Sequence, residues 1–251
     1  MDDRKDSRGS CEDTRSVGTF GMTSVSRRLT IAKEHTWGGW VFNNICVKLI
    51  AAPFVRTFYV KGVTGLEDLP VGRFIVAANH GSFLDFLSMV ACTPRKLTFL
   101  AAEKFYSSLL WRPVMEYSGQ IKVERASENQ AHVVKAGLKV LNHGGVLCIF
   151  PEGTRSRDGR IGKTHTGVAM FALRARVPVV PLGIRGAYEA LPPHAGWPRF
   201  RKIIELHYGK PMDLREYGNG TSNNAVLREA TNRIMTEVAL LAGKEYVPEC
   251  I

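Results

Sequence analysis

Cysteine is scarce and scattered. The 251-residue chain has five, at Cys11, Cys46, Cys92, Cys148 and Cys250. None forms a C-x-x-C pair, which argues against both a structural zinc site and a disulfide framework. The five are read as free thiols in a reducing compartment. No G-x-S-x-G elbow occurs, so an activated serine on a strand-to-helix turn is not indicated. No apolar run reads as a clean membrane span. The most hydrophobic stretch, Trp37 to Tyr59, is broken by Asn43, Asn44, Lys48, Pro53 and Arg56. No apolar core follows a basic start, so a secretory signal is not expected, and Met22 offers a second candidate start. Internal repeats are absent. With 45% apolar and 23% charged residues, the composition is that of a globular chain and excludes collagen-like and coiled-coil proteins.

What is present in excess is positive charge. Lys and Arg number 34 against 23 Asp and Glu, a formal +11. Residues 1–30 carry six basic and five acidic side chains (+1), and residues 211–251 carry four and six (−2). Residues 31–210 therefore hold +12. Such a field favours an anionic partner: nucleic acid, an anionic membrane surface or a phosphorylated substrate. Nucleic-acid binding would interleave aromatics with the basic residues. Residues 122–176 have ten Lys or Arg but only Phe150 and Phe171 as aromatics, so no nucleic-acid partner is expected.

Three regions follow from patterning. Residues 1–30, polar and aperiodic, read as a disordered tail. Residues 31–62 read as a helical segment. On a helix over 40–52, Phe42, Ile45, Cys46 and Leu49 share one face, and Trp37 and Trp40 stand at its start. Two readings stay open: an anchor lying in the membrane interface, or a helix packed on the domain. Residues 63–251 read as one α/β domain. Strands are expected at Phe74–Ala78, Leu97–Ala102, Gln120–Val123, Val146–Phe150, Val179–Ile184 and Ile203–Tyr208. Helices are expected at Phe83–Ala91, from a Ser127/Gln130 capping box to about Leu141, at Gly167–Arg174, and over an apolar series from Val226 to Leu241. Strands alternating with helices imply a single domain with a mainly parallel central sheet covered by helices.

Ligands in such folds sit outside the carboxyl ends of strands. Asn79-His80-Gly81-Ser82-Phe83-Leu84-Asp85 occupies one such end. A strand-to-helix turn can return Asp85 to one imidazole nitrogen of His80, leaving the other as a general base. The alternative is a helix cap with a dipole-matched acid. A second cluster, Phe150-Pro151-Glu152-Gly153-Thr154-Arg155-Ser156-Arg157, follows another buried strand. There Gly153 allows close approach and Arg155 offers a planar fork suited to phosphate. Glu152 is the odd member, an acid that belongs beside an anion only if it holds a hydroxyl or orients an arginine. Arg125 follows a third strand end, where a surface ion pair is the ordinary reading.

Together these pieces resemble the glycerophospholipid acyltransferases, closest to the 1-acyl-sn-glycerol-3-phosphate acyltransferases. The block N-H-x-x-x-x-D is met by Asn79, His80 and Asp85. G-x-I-x-x-x-R is met from Gly119 to Arg125, with Glu124 in place of the more usual Asp. F-P-E-G-T-R-S runs unchanged from Phe150 to Ser156, and V-P-x-x-P spans Val177 to Pro181. Lys104 stands where members often carry a lysine. The likeness covers roughly residues 63–210.

The resemblance implies transfer of an acyl group from a thioester to the free sn-2 hydroxyl of 1-acyl-sn-glycerol-3-phosphate, giving phosphatidic acid. Acyl-CoA or acyl carrier protein would be the co-substrate, with no metal or other cofactor. It implies His80 as base and Asp85 as its orienting acid. Arg125 and Arg155 would hold the acceptor phosphate, with Asn79, Glu152, Gly153 and Thr154 around that pocket. Backbone N–H near Gly81 or the side chain of Lys104 are the candidate oxyanion donors. The expected place of action is the cytoplasmic face of a membrane. Two alternatives remain: another lysophospholipid or glycerol-3-phosphate as acceptor, or a non-catalytic binder of anionic lipid.

Overall fold

The computed structural model describes residue 49 and residues 51–249, apart from 108, 110, 125–129 and 219–222. The polar tail, Trp37, Trp40, Phe42, Ile45, Cys46, Arg125 and Ser127 lie outside the described residues. In chain order the elements are α1 (Ala52–Phe58), β1 (Val60–Thr64), β2 (Phe74–Ala78), α2 (Phe83–Cys92), β3 (Leu97–Ala102), α3 (Lys104–Ser107), α4 (Trp111–Ser118), β4 (Ile121–Val123), α5 (Ala131–Asn142), β5 (Val146–Ile149), α6 (Gly167–Ala175), β6 (Val179–Arg185), α7 (Ala187–Ala190), β7 (Ile204–Tyr208) and α8 (Asn224–Ala242).

The seven strands form one sheet in the order β1-β7-β6-β2-β5-β3-β4. Its centre is built from the apolar runs. β2 pairs parallel with β5 and with β6, setting Val76 opposite both Cys148 and Val180. β3 and β4 extend the parallel array on one side. On the other, β7 runs antiparallel to β6, and β1 is parallel to β7. Residues alternate across the sheet. Phe74, Val76 and Ala78 face one core layer with α1, α2 and α7. Ile75 and Ala77 face the other, with α5, α6 and α8. Both faces are therefore covered, which is why β2, β5 and β6 are apolar at nearly every position.

The crossovers decide where a ligand sits. From β2 the chain passes over β5 to β3, through α2 on one face. From β5 it passes over β2 to β6, through α6 on the opposite face. Opposite directions on opposite faces keep one hand of crossover. The neighbours β2 and β5 thus send their chains apart, and a crevice opens at their carboxyl ends. His80 follows β2 there, and Glu152 to Arg155 follow β5.

Several local expectations change. The sheet begins at Val60, so the boundary drawn at residue 63 falls inside β1. This edge strand contains Lys61 and Gly62 and has no clear alternation. α3, α4 and α7 are shorter than the span over which a helical period can be read. α5 starts at Ala131, with Gln130 at its N-cap and no side-chain cap bond. Pro53, read as an interruption, sits in the first turn of α1, where its missing N–H costs nothing. Among the described residues no helix is long and apolar enough to cross a membrane.

Candidate active site

Asn79 anchors the turn after β2. Its Nδ2 donates to the Ile184 carbonyl at 3.0 Å and its Oδ1 accepts from the Ile184 N–H at 2.8 Å. The side chain thus prolongs the β2–β6 ladder beyond the last strand residue. It is 2% exposed, and both ends of the amide are engaged. The family resemblance puts Asn79 with the substrate-binding residues; its geometry is that of a positioning group.

His80 is held from four sides. Its N–H donates to Glu152 Oε1 at 2.8 Å, and its carbonyl accepts from the Ser156 N–H at 2.7 Å. Its ring stacks on Phe150, with centroids 4.1 Å apart and planes 16° off parallel. Its Nδ1 lies 2.9 Å from Asp85 Oδ2. A carboxylate oxygen only accepts, so Nδ1 carries the shared proton, and in the neutral ring the lone pair is on Nε2. The ring is partly open, at 19% exposure.

Asp85 occupies the third position of α2, opposite the N-cap Ser82. Ser82 Oγ accepts from the Leu84 N–H at 3.1 Å, and Asp85 Oδ2 accepts from the Ser82 N–H at 2.7 Å, closing a capping box. The same oxygen takes the Gly81 N–H at 2.8 Å. The two readings of the motif therefore coincide: Asp85 caps the helix and orients His80. Its other oxygen, Oδ1, and the Ser88 hydroxyl are buried without a hydrogen-bond partner.

The loop after β5 turns at Gly153, whose φ of +64° suits glycine. A Cβ there would come within 3.0 Å of the His165 ring. Among the described residues Glu152 pairs with no arginine. Its Oε1 takes the His80 N–H, and Oε2 takes the Gly162 N–H at 3.1 Å. Burial pushes its carboxyl above the usual carboxylate range, opposed by these two N–H groups and by His80. The acid thus clamps the β2 turn to the loop that closes the site. Thr154 is exposed and Arg155 half-buried. The Arg155 guanidinium makes no ion pair or hydrogen bond among the described residues, which leaves its fork available.

One expectation about the oxyanion changes. The Gly81 N–H is taken up by Asp85 Oδ2, which removes it as a free donor. Lys104 is exposed at the start of α3, its ammonium 5.4 Å from the centre of the Phe105 ring. Tyr188, absent from the sequence reading, packs where Cβ atoms at Gly81 and Gly159 would stand (3.2 and 3.1 Å), and its hydroxyl donates to the Arg157 carbonyl. Only the proximity of Tyr188 to Gly81 in the fold reveals it. Cys92 and Cys148 are buried free thiols, both raised by burial, and so are inert. Among the described residues no three His, Cys, Asp or Glu side chains gather as metal ligands would. A cavity of about 690 Å³ lies at the start of β6, lined by Ala172, Arg176, Pro178 and Arg215. That is the opposite end of the sheet from His80, and the charged pair on its wall is Arg215 with Asp213, with no histidine lining it.

The acyltransferase family model matches residues 61–185, which include every residue placed around His80 except Tyr188. The 1-acyl-sn-glycerol-3-phosphate acyltransferase of Pseudomonas aeruginosa is 30% identical over 203 residues, covering 74% of this chain and 73% of that one. The chain belongs to the acyltransferase family. The chloroplastic 1-acyl-sn-glycerol-3-phosphate acyltransferase BAT2 of Brassica napus is 29% identical over 204 residues, or 80% of this acyltransferase-family chain. This chain spans 57% of that relative's length, and 43% of the chloroplastic LPAT1 of Arabidopsis thaliana. The crystal structure of PlsC from Thermotoga maritima, a 1-acyl-sn-glycerophosphate acyltransferase, superposes with a TM-score of 0.59 at 19% identity, covering 87% of this chain and 97% of that one. The fold is shared.

Proposed function

We propose that this acyltransferase moves a fatty acyl group from a thioester of coenzyme A or acyl carrier protein to the sn-2 hydroxyl of 1-acyl-sn-glycerol-3-phosphate, giving phosphatidic acid. The observation that carries the reading is the His80–Asp85 pair. It lies at the crevice between β2 and β5, with Nε2 free and the unpaired fork of Arg155 on the adjoining loop.

The chemistry follows from these positions. Nε2 of His80 takes the proton of the acceptor hydroxyl as its oxygen attacks the thioester carbonyl. Asp85 stabilises the resulting imidazolium through Nδ1–H. The tetrahedral oxyanion collapses and the C–S bond breaks. The leaving thiolate takes the proton from Nε2, which restores the base. Arg155, and Arg125 by its place in the motif, hold the acceptor phosphate by charge-assisted contacts. The acceptor carries an acyl chain, so the site works at an anionic membrane surface.

The test offers purified protein acyl-CoA with lysophosphatidic acid, other lysophospholipids or glycerol-3-phosphate, and identifies the product by mass. Phosphatidic acid formed fastest is the expected result. A faster product from another acceptor reassigns the substrate, and no acylated product from any acceptor overturns the activity.

A further inference from the structure

The segment between α7 and β7 presents a surface that this chemistry leaves unused. Trp197 and Phe200 are 86% and 68% exposed. Phe200 joins Phe54 and Phe58 of α1, with ring centroids 6.4 and 6.1 Å away, and rests on the buried Tyr59 at 5.7 Å. Phe54 and Phe58 are themselves 46% exposed. Single exposed rings are ordinary, but a contiguous cluster marks a contact surface.

Its charge points to the partner. Arg56, Arg199, Arg201 and Lys202 are exposed among these rings. Neither residues 52–61 nor 194–202 contain a carboxylate. Glu205, on the adjoining strand, is engaged by Lys61 at 2.8 Å. Aromatic rings between cations, on two stretches that carry no carboxylate, match the headgroup level of an anionic bilayer. Trp197 favours that depth, the three Phe rings add apolar area to bury beneath it, and the negative surface attracts the cations.

The segment is also tied to the site. The N-cap hydroxyl of Ser82 donates to the Leu191 carbonyl at 2.8 Å, and the Arg199 N–H donates to the Ala190 carbonyl at 2.8 Å. The strap therefore leaves from the start of the helix that carries Asp85 and returns to that place. We propose that Trp197–Lys202 and the outer face of α1 form one docking surface for a bilayer bearing anionic lipid, set beside the His80 crevice. That docking serves acceptor delivery rests on the acyltransferase reading above; the docking itself does not.

The full chain is sedimented with phosphatidylcholine vesicles containing about 30% phosphatidylglycerol, and with phosphatidylcholine alone. Phe200→Glu and Trp197→Ala are each expected to lower partitioning onto the anionic vesicles about tenfold or more, and Arg199→Glu with Arg201→Glu to remove its salt-sensitive part. All are expected to melt like the unaltered chain and to acylate detergent-dispersed acceptor at its rate. If Phe200→Glu lowers the melting temperature, Trp197→Ala carries the test. Undiminished partitioning of the variants overturns the surface. So does concentration-dependent self-association that Phe200→Glu abolishes while vesicle binding stays. A chain that acylates no acceptor, yet loses vesicle binding on Phe200→Glu, removes the enzymatic reading and keeps the surface. Turnover indifferent to a patch that binds no vesicle does the reverse.

Discussion

Glu152 Oε1 accepts the backbone N–H of His80 at 2.8 Å, although 72 residues separate them. Both Glu152 oxygens face N–H donors. A glutamine offers one oxygen and one NH₂, so Glu152→Gln sets a donor against a donor at His80 or at Gly162. A hydrogen bond to a charged group is worth about 1.5–3 kcal/mol. Lower melting temperature and lower turnover together are the expected result; an unchanged melt would mean that the clamp carries no weight.

Burial raises the Glu152 carboxyl, so the folded chain binds more proton there than the unfolded chain does just above the usual carboxylate range. Its contribution to stability therefore falls as pH rises through that window. Glu249 has the opposite sign. Its carboxylate takes the Thr164 N–H, which holds it below the usual range. Stability from that bond is present above the usual range and lost as pH falls through the lowered value. The protection factor of the Thr164 amide, its exchange rate set against the intrinsic rate at each pH, is expected to fall on acidification, and Glu249→Gln to lower it at neutral pH and flatten the pH response.

His80→Ala removes a partly exposed ring and the proposed base, so the chain folds while transfer falls by roughly 10²–10⁴. Turnover near the normal rate would end the general-base mechanism.

Asp85→Asn isolates the charge. The amide oxygen can take the three N–H donors that now meet Oδ2, and the NH₂ can point where Oδ1 has no partner. The variant is expected to melt near the unaltered chain while losing turnover nearly as fully as His80→Ala. Normal turnover would leave Asp85 as a helix cap alone.

Arg155→Ala is expected to raise the KM for the phosphorylated acceptor roughly ten- to hundredfold, as loss of a charge-assisted contact does, with the KM for the thioester unchanged. A rise in the thioester value alone would move Arg155 to the donor pocket.

The centre of the sheet was legible because Phe74–Ala78, Val146–Ile149 and Val179–Arg185 are buried on both faces and so carry little but apolar side chains. Asn79, His80 and Asp85 were legible as a group because they are close in sequence and follow a strand. The duties of Asn79 and Glu152 were not, since each binds backbone groups of distant segments, and a sequence does not show which carbonyl or N–H will face a side chain. The same limit hid the use of the Gly81 N–H by Asp85. β1 and the antiparallel setting of β7 escaped because strand order follows from crossovers and edge pairing, which leave no local period. The exposed Trp197 and Phe200 escaped for another reason: an aromatic residue in a sequence reads as core until its exposure is known.

His80 is fixed at its N–H by Glu152, at its carbonyl by Ser156, at Nδ1 by Asp85 and across its ring by Phe150, four contacts from two stretches of chain. Thr154, Arg155 and Lys104 carry no such lattice of partners. Under the mechanism proposed above, the residues that make the bond would thus be distinct from those that choose the acceptor. Substitutions at those three positions would then retune acceptor preference while leaving the proposed base undisturbed, so that catalyst and selector could change independently.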